Sequence, residues 1–383
     1  MQIKLSIVMP CLNEAETLAI CINKAKSFLE LNNIVGEIIV ADNGSTDGSI
    51  EIAQNLGVKI VHISIKGYGS ALRGGIEAAV GEYIIIGDSD DSHDLENLNL
   101  FVEKLDEGYE LVVGNRFLGG VDKKSMSFLH RYVGNPILTF IGKMLFNSKI
   151  GDFHCGLRGF ARDAYKGLSL TTTGMEFASE LIVKAELEKL KITEVPTKVF
   201  PSGRSREAHL RTWRDGWRHL RFLLLYSPRW LFLIPGMILF LFGIICSIIL
   251  IVTPFDQNSD FLNLRTLLYA SGMSLVGFQF ILFYALTKIF AVSNGLLPRS
   301  QRYGSIFKVI NLERGLLIGF TLILIGIMVY LYTNFTIVYD GAVTFSALDQ
   351  KSTVISVGAF LFGTQIILSS FFFSILGLND KEN

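Results

Sequence analysis

The chain has 383 residues, half of them hydrophobic and only 18% charged. Soluble domains are about a quarter charged, so this composition, with a mean hydropathy of +0.42, weighs against a wholly soluble protein. Thirty-five basic residues balance 35 acidic ones, which removes support for general nucleic-acid binding. Cys11, Cys21, Cys155 and Cys246 are scattered with no CxxC and no Cys/His spacing, so neither a zinc site nor a disulfide scaffold is expected.

In chain order, residues 5–9 predict a short strand ending at Pro10, and residues 14–31 carry helical periodicity. Residues 37–40 predict a second strand running into Asp42-Asn43-Gly44-Ser45, with Asp47 placed to cap a helix through Leu56. Residues 58–63 predict a third strand, 71–80 a helix, and 83–86 a fourth strand running into Gly87-Asp88-Ser89-Asp90-Asp91. Strands alternating with helices predict a parallel sheet covered on both faces. Such sheets bind ligands beyond the carboxyl ends of their strands. The polar clusters lie there, after strands one, two and four.

The clusters Pro10-Cys11-Leu12-Asn13-Glu14 and Asp42-Asn43-Gly44-Ser45-Thr46-Asp47-Gly48 put short polar side chains on turns, where they can grip a ribose or a base. Each alone also reads as an ordinary turn. Asp88-Ser89-Asp90 sets two carboxylates just past a strand. Such a pair can share Mg²⁺ or Mn²⁺, whose other positions go to water and substrate phosphates. A solvated acidic turn is the plainer alternative. A P-loop is absent, so an ATPase lacks its central feature.

These clusters, with Gly67-Tyr68-Gly69-Ser70-Ala71-Leu72-Arg73-Gly74-Gly75 between the second and third, follow one another in an order that resembles the family 2 glycosyltransferases of the GT-A fold, over roughly residues 3–200. The resemblance implies an α/β GT-A catalytic domain, Rossmann-like with a mostly parallel sheet, assigned to residues 1–204. It implies that Pro10, Asn13, Glu14 and Asp42 line a nucleotide pocket, with Asn43, Gly69 and Arg73 in the same motifs as further binding residues. Asp88 would lie near the ribose or diphosphate, and Asp90 would be the most direct ligand of Mg²⁺ or Mn²⁺. Two departures stand out. Asn43 replaces the second of the usual paired Asp residues but can still hydrogen-bond a base or ribose. Ser92, followed by His93 and Asp94, stands where many relatives complete the metal site with Gln.

Downstream, Gly114-Asn115-Arg116-Phe117, Asp152-Phe153-His154-Cys155-Gly156-Leu157-Arg158, Glu176-Phe177-Ala178-Ser179-Glu180, Glu194-Val195-Pro196 and Gly203-Arg204-Ser205-Arg206 look like the dolichol- and polyprenol-phosphate hexose synthases. That implies inverting transfer of a hexose from a nucleotide sugar, UDP-glucose or GDP-mannose, to a polyprenyl or dolichyl phosphate. A lipid phosphate is already anionic and needs no base to attack the anomeric carbon. The charge to be stabilised develops on the departing nucleoside diphosphate.

An anionic acceptor calls for cations, and the planar fork of Arg suits phosphate. Arg116, Arg131 and Arg158 sit in Gly-, Asn- or Cys-flanked motifs. Arg116 and Arg158 read as catalytic substrate contacts or as structural partners of Asp152 or Glu180. Arg204 and Arg206 flank Ser205, placed for a diphosphate or lipid phosphate as a lid that orders on binding. Glu176 and Glu180 are four apart and share a helix face. Glu176 reads as a sugar-hydroxyl ligand or as helix support. His154 reads as structural.

After residue 229 come four long uncharged stretches, 230–252, 266–287, 315–339 and 352–379, each able to cross a bilayer as a helix. Arg204, Arg206, Arg211, Arg214, Arg218, Arg221 and Arg229 precede the first. Lys288, Arg299, Arg302, Lys308 and Arg314 lie between the second and third. The positive-inside bias therefore puts the catalytic domain, the middle loop and the C-terminus in the cytosol. Residues 205–229 alternate Trp213, Trp217, Leu220, Phe222, Leu223 and Leu224 with Arg, the pattern of a juxtamembrane helix lying in the bilayer interface. A helix packed on the catalytic domain is the alternative. The spans hold Gln279 and few ionisable groups, so they are expected to anchor rather than transport, and a homo-oligomer is an arrangement they allow. Two other readings compete. A processive polysaccharide synthase would need Gln where Tyr226 stands before Arg229-Trp230, and a non-catalytic scaffold would have no use for Asp88 and Asp90.

Overall fold

The apolar runs of the first half become the strands of one seven-stranded sheet in the computed structural model, which describes residues 2–120, 122, 128, 130–205, 212–253, 260–294, 296–298, 311–339 and 347–378. The strands are β1 (Leu5–Cys11), β2 (Gly36–Asp42), β3 (Lys59–His62), β4 (Tyr83–Ile86), β5 (Leu111–Asn115), β6 (Arg158–Ala161) and β7 (Ile192–Pro196). Their order is β3-β2-β1-β4-β6-β5-β7. All pairs are parallel except those of β6, which runs against β4 and β5. The reversal follows from the connection. The chain leaves β5 at its carboxyl end and re-enters β6 at the same edge, which brings Gly156 beside Asp88 in the loop after β4.

The helices of this unit are α1 (Leu18–Leu31), α2 (Ser49–Asn55), α3 (Tyr68–Glu77), α4 (Asn99–Asp106), α5 (Arg116–Gly119), α6 (Asn135–Phe146), α7 (Arg162–Gly167), α8 (Phe177–Leu187) and α9 (Thr212–Leu225). Alternation along β1 feeds two cores, because successive side chains point to opposite faces. Leu5, Ile7 and Met9 join Cys21, Ile22, Phe28, Phe101 and Leu105 from α1 and α4. Val8 joins Leu72, Ile76, Leu181, Phe222 and Leu223 from α3, α8 and α9.

Three helix starts differ from the periodicity. α1 begins at Leu18 rather than residue 14, because Asn13 adopts φ 58° and residues 14–17 turn first. α3 begins at Tyr68 rather than 71. Gly67 holds φ 134° there, and a Cβ on it would meet the Thr173 carbonyl oxygen. Gly48, at φ 92°, occupies the N-cap of α2, one residue after Asp47. Asp47 still accepts from the amide of Ser49 at 3.1 Å.

The chain divides into compact units Met1–Tyr226 and Ser227–Asn383. α9 therefore folds with the sheet instead of standing in a separate 205–229 segment. It buries His219, Phe222 and Leu223, while Trp213 is 81% and Trp217 60% exposed. The Trp and Phe/Leu positions, read as one apolar face, divide between solvent and core. Arg206, Arg211, Arg299, Arg302, Lys308 and residue 379 lie outside the described residues.

The second unit contains α10 (Ile234–Val252), α11 (Asp260–Ser293), α12 (Leu312–Tyr339) and α13 (Ala347–Leu378). Four segments, Arg229–Val252, Asn263–Ser293, Leu312–Phe335 and Asp349–Leu376, are long and apolar enough to cross a membrane. Small residues let the backbones approach closely, as apolar helix pairs require. A Cβ on Gly243 of α10 would lie 2.5 Å from the Ser274 nitrogen of α11, and one on Gly319 of α12 would lie 2.8 Å from the Gly363 oxygen of α13. Lys351 of α13 donates to the Ile251 and Thr253 carbonyls at 3.0 and 2.7 Å, satisfying the carboxyl end of α10.

Gly243→Leu should separate α10 from α11. Overpacking of a close contact costs about 1–3 kcal/mol. The expected outcome is a lower melting temperature in detergent, and an unchanged melting curve would show that the close approach is not needed.

Candidate functional site

β1 lies between β2 and β4, where the chain order along the sheet reverses, and open α/β sheets bind ligands outside the carboxyl ends of strands at that point. β1 and β2 end in register, Cys11 opposite Asp42, so the loops that follow are joined. The Asn13 amide donates to Ser45 Oγ at 2.9 Å, and Asn13 Oδ1 accepts from the Thr46 amide at 2.7 Å. The Glu14 amide donates to Ser49 Oγ at 2.9 Å. Asp42 accepts the amides of Gly44 and Ser45, both at 3.0 Å. Burial opposes its ionisation, but the bonds from Ser45 and Gly44 outweigh burial and hold the carboxyl below its ordinary value.

Asn43 corrects the expectation of a base or ribose contact. It is 4% exposed. Its amide nitrogen donates to the carbonyls of Ile63 and Ile65 at 3.0 and 2.8 Å, and its oxygen accepts from the Gly67 amide at 2.7 Å. A carboxylate has no hydrogen for those two carbonyls, which explains why an amide stands here. It fixes the turn into α3.

The Asp88-Ser89-Asp90 loop is tied to β1 and α1. Ser89 Oγ donates to the Pro10 carbonyl at 2.6 Å, and Thr17 Oγ1 donates to the Ser89 carbonyl at 2.7 Å. Asp90 Oδ1 accepts from both the amide and the hydroxyl of Ser92. Ser92, expected as a metal ligand, thus clamps Asp90. Burial works against ionisation of Asp90, but Ser92, His93 and Arg204 outweigh it and lower its carboxyl. Asp88 Oδ1 accepts from the Tyr68 hydroxyl at 2.9 Å. Burial raises the Asp88 carboxyl above its ordinary value, with His93 opposing. Burial, then the charge and bond of Asp88, push the Tyr68 hydroxyl well above its own, so it stays a donor.

Arg204 closes the site. It pairs with Glu14 Oε1 at 2.7 Å and Asp90 Oδ2 at 3.1 Å, and the next residue, Ser205, donates its amide and hydroxyl to Glu16, both at 2.6 Å. Glu14, Asp90 and Arg204 thus meet directly.

Across the edge, Arg116 grips Asp152 through Nε and Nη2 at 2.6 and 2.8 Å. Glu194 Oε1 accepts the amides of Gly151 and Asp152 at 2.7 and 3.1 Å. Burial opposes ionisation of Asp152, but Arg116 outweighs it and lowers the carboxyl. Arg116 is therefore first a structural partner of Asp152, with Nη1 making no hydrogen bond among the described residues. Arg158 is corrected outright. It is 1% exposed and donates to the carbonyls of Cys155, Phe153 and Ala178, so it braces the 152–158 loop out of reach of substrate.

Arg73 donates to the Thr171 carbonyl at 3.1 Å. A Cβ on Gly69 would meet the Thr172 oxygen at 2.7 Å. Both join α3 to the 171–174 loop and neither reaches Asp88 or Asp90 by a hydrogen bond. Glu180 accepts from Thr171, Thr172 and Lys184 as helix support. Glu176 Oε2 is buried with no hydrogen-bond partner among the described residues. Arg131 stacks on the Tyr132 ring at 5.4 Å. Tyr68 is the participant that sequence reasoning missed. It stood inside a quoted motif, yet nothing in its residue type told which carboxylate it would meet. His93, named beside Ser92 in the sequence, lies against Asp88.

Among the described residues, no three His, Cys, Asp or Glu side chains come together as a metal cage. Asp88 and Asp90 offer a partial shell of hard oxygen donors. That fits Mg²⁺ or Mn²⁺, which share their coordination with water and substrate phosphates.

The description Glycosyl transferase family 2 matches residues 6–168, and Glycosyltransferase family 2 C-terminal transmembrane region matches residues 285–377. The low-salt glycan biosynthesis hexosyltransferase Agl6 of Haloferax volcanii is 36% identical over 97% of this chain and 89% of its own length. This chain belongs to glycosyltransferase family 2. A dolichyl-phosphate hexose transferase of the same organism is 28% identical over 41% of this chain and 68% of its own. Glucosyl-3-phosphoglycerate synthase from Mycobacterium tuberculosis is 21% identical with a TM-score of 0.44, covering 58% of this chain and 77% of that one. The family 2 chain is a multi-pass membrane glycosyltransferase.

The glycosyltransferase also buries two imidazoles. His154 and His219 stack edge to face at 4.7 Å, and His219 Nδ1 meets Ser179 Oγ at 2.8 Å. Burial lowers His219 to about 4, with Asp215 opposing. The unfolded chain takes up a proton near pH 6.5 that the folded one refuses. Stability is thus full above pH 6.5 and falls as pH drops toward 4, by an amount on the order of 3 kcal/mol from His219. Melting curves between pH 7.5 and 5 should show a steep decline that His219→Gln flattens. An equal slope in the variant would assign the decline to other groups.

Proposed function

We propose that this glycosyltransferase moves a hexose from a nucleotide sugar to the phosphate of a polyprenyl or dolichyl phosphate, with inversion and with the help of a divalent cation. One observation carries the reading. Glu14, Asp88, Asp90 and Arg204 converge at the switch point of the sheet, on a unit that also exposes apolar side chains on α6 and α9. The family resemblance and the dolichyl-phosphate hexose transferase among the relatives support the acceptor class.

In this reading the loops after β1 and β2, with Asn13, Glu14 and Asp42, frame the nucleotide. Asp88 and Asp90 would hold the cation, which when bound neutralises the diphosphate leaving group. Arg204 already faces Asp90, and its fork can turn to diphosphate oxygens when they arrive. The acceptor phosphate oxygen attacks the anomeric carbon as the bond to the diphosphate breaks, and no proton has to leave the nucleophile first. Nη1 of Arg116 and the side chain of Arg131 are the cations offered to the acceptor, and Glu176 offers an oxygen to a sugar hydroxyl. Arg206, which the sequence places beside them, lies outside the described residues. UDP-glucose and GDP-mannose are the donors to try first.

The acceptor is a lipid, and the fold supplies a surface for one. Ile137 and Phe140 of α6 are 52% and 65% exposed, as are Trp213 and Trp217 on α9 at 81% and 60%. Exposed aromatic and aliphatic residues beside Arg suit a bilayer interface. With Lys and Arg concentrated before the first span and between the second and third, this unit and the C-terminus are assigned to the cytosol.

Purified protein with Mn²⁺, a polyprenyl phosphate and UDP- or GDP-sugars should yield a lipid-linked monosaccharide. Asp90→Asn should lower the rate by about 100-fold or more, the size of loss when leaving-group charge stabilisation is removed. No transfer from any donor would sink the proposal, and growth of long chains would replace it with a processive synthase. Ile137→Asp with Phe140→Asp should raise the KM for long-chain acceptor in vesicles and leave donor affinity unchanged. An unaltered KM would remove the α6 surface from the acceptor path.

A further inference from the structure

We infer that Tyr68 is a positioning residue, committing one oxygen of Asp88 so that the other is presented to the cation and diphosphate. The inference rests on the reading just proposed and deepens it.

Asp88 is held from three directions. Tyr68, the first residue of α3, donates its hydroxyl to Oδ1 at 2.9 Å. His93 Nδ1 lies 3.4 Å from the Asp88 backbone nitrogen and 3.5 Å from Oδ2. Gly156 borders the third side, where a Cβ would lie 2.6 Å from Oδ2, so the missing side chain is what leaves that oxygen room. Oδ1 is fixed by the phenol.

The placement of that phenol is itself over-determined. Gly67 turns the chain at φ 134°, its Cβ position filled by the Thr173 oxygen, and its amide is held by Asn43 Oδ1 at 2.7 Å. The Tyr68 ring packs on the apolar core beneath α3. Asn43, whose side-chain hydrogen bonds among the described residues go to Ile63, Ile65 and Gly67, thus acts on Asp88 through the start of α3. A carboxylate with a free rotor offers a cation either oxygen or both. One locked at Oδ1 offers Oδ2 in a fixed direction and has less freedom to lose on binding, which is how a supporting shell tunes a metal site.

The test measures affinity. UDP and GDP binding would be titrated with and without Mn²⁺ on the full chain in detergent, and the ratio of the two affinities is the metal enhancement. Tyr68→Phe keeps the ring and its packing. It should shrink the enhancement by roughly three- to tenfold, the worth of one hydrogen bond, while metal-free nucleotide affinity stays unchanged. Gly156→Ala pushes the same carboxylate from the opposite side without touching α3 and should shrink it too. Full enhancement in either variant, or equal loss with and without Mn²⁺ as a structural role would give, overturns the inference. No enhancement in the parent protein would remove the metal-dependent reading and this inference with it.

Discussion

The carboxyl edge of the sheet gathers carboxylates, and each must be compensated before the fold can close over it. Asp42 is met by two backbone amides, Asp152 by a guanidinium and a polar loop, Asp90 by Ser92 and Arg204, and Asp88 by a phenol. Buried charge without partners is among the costliest features a protein can carry. The sequence of the edge is largely the solution to that problem. Ser45, Ser49, Ser92 and Asn115 are small donors and acceptors placed where a turn needs one. The reversal of β6 also belongs to this solution, because it brings Asp152 and its partner Arg116 to the same edge.

Compensation is of two kinds. Asp152 is fully buried and both its oxygens are taken by Nε and Nη2 of Arg116, which leaves Nη1 outside the pair. Arg158 is held in a similar way by carbonyls. By contrast, Arg204 divides its fork between Glu14 and Asp90, residues from two separate loops, and comes from a third. A pairing distributed over three loops can be exchanged when a ligand of opposite charge enters. A bidentate pair in the core can only be broken.

Much of this was legible in the residues. Alternating apolar runs gave the first four strands and their parallel order, and polar turns at strand ends marked the edge that carries the acidic pair. Depth was not legible. Arg158 stands in a Gly- and Cys-flanked motif that looks solvent-facing, but it opens β6, a strand between β4 and β5, and is sealed from both sides. Asn43 looked like a ligand for a nucleotide because its two carbonyl partners, Ile63 and Ile65, are 20 and 22 residues away in sequence. The mixed fate of α9 has a similar origin. A helix next to a core can bury Phe222 and Leu223 and still leave Trp213 exposed, whereas a pattern of residue types reports only that both are apolar.

The charges at the switch point also bear on what it is built to receive. When ionised, Glu14, Asp88 and Asp90 carry three negative charges, and Arg204 returns one, leaving two at a place walled by β1 and the 152–158 loop. A residual charge of that size, on hard oxygens that among the described residues form no three-ligand cage, suits one divalent cation that arrives with its own phosphate ligands. A monovalent cation would leave the edge negative and repel the diphosphate. A complete protein cage would hold a cation with no position left for substrate. In the proposed reaction a cation held by Asp88 and Asp90 alone would bind well only together with the nucleotide sugar, so the edge would become fully compensated when the leaving group is in place.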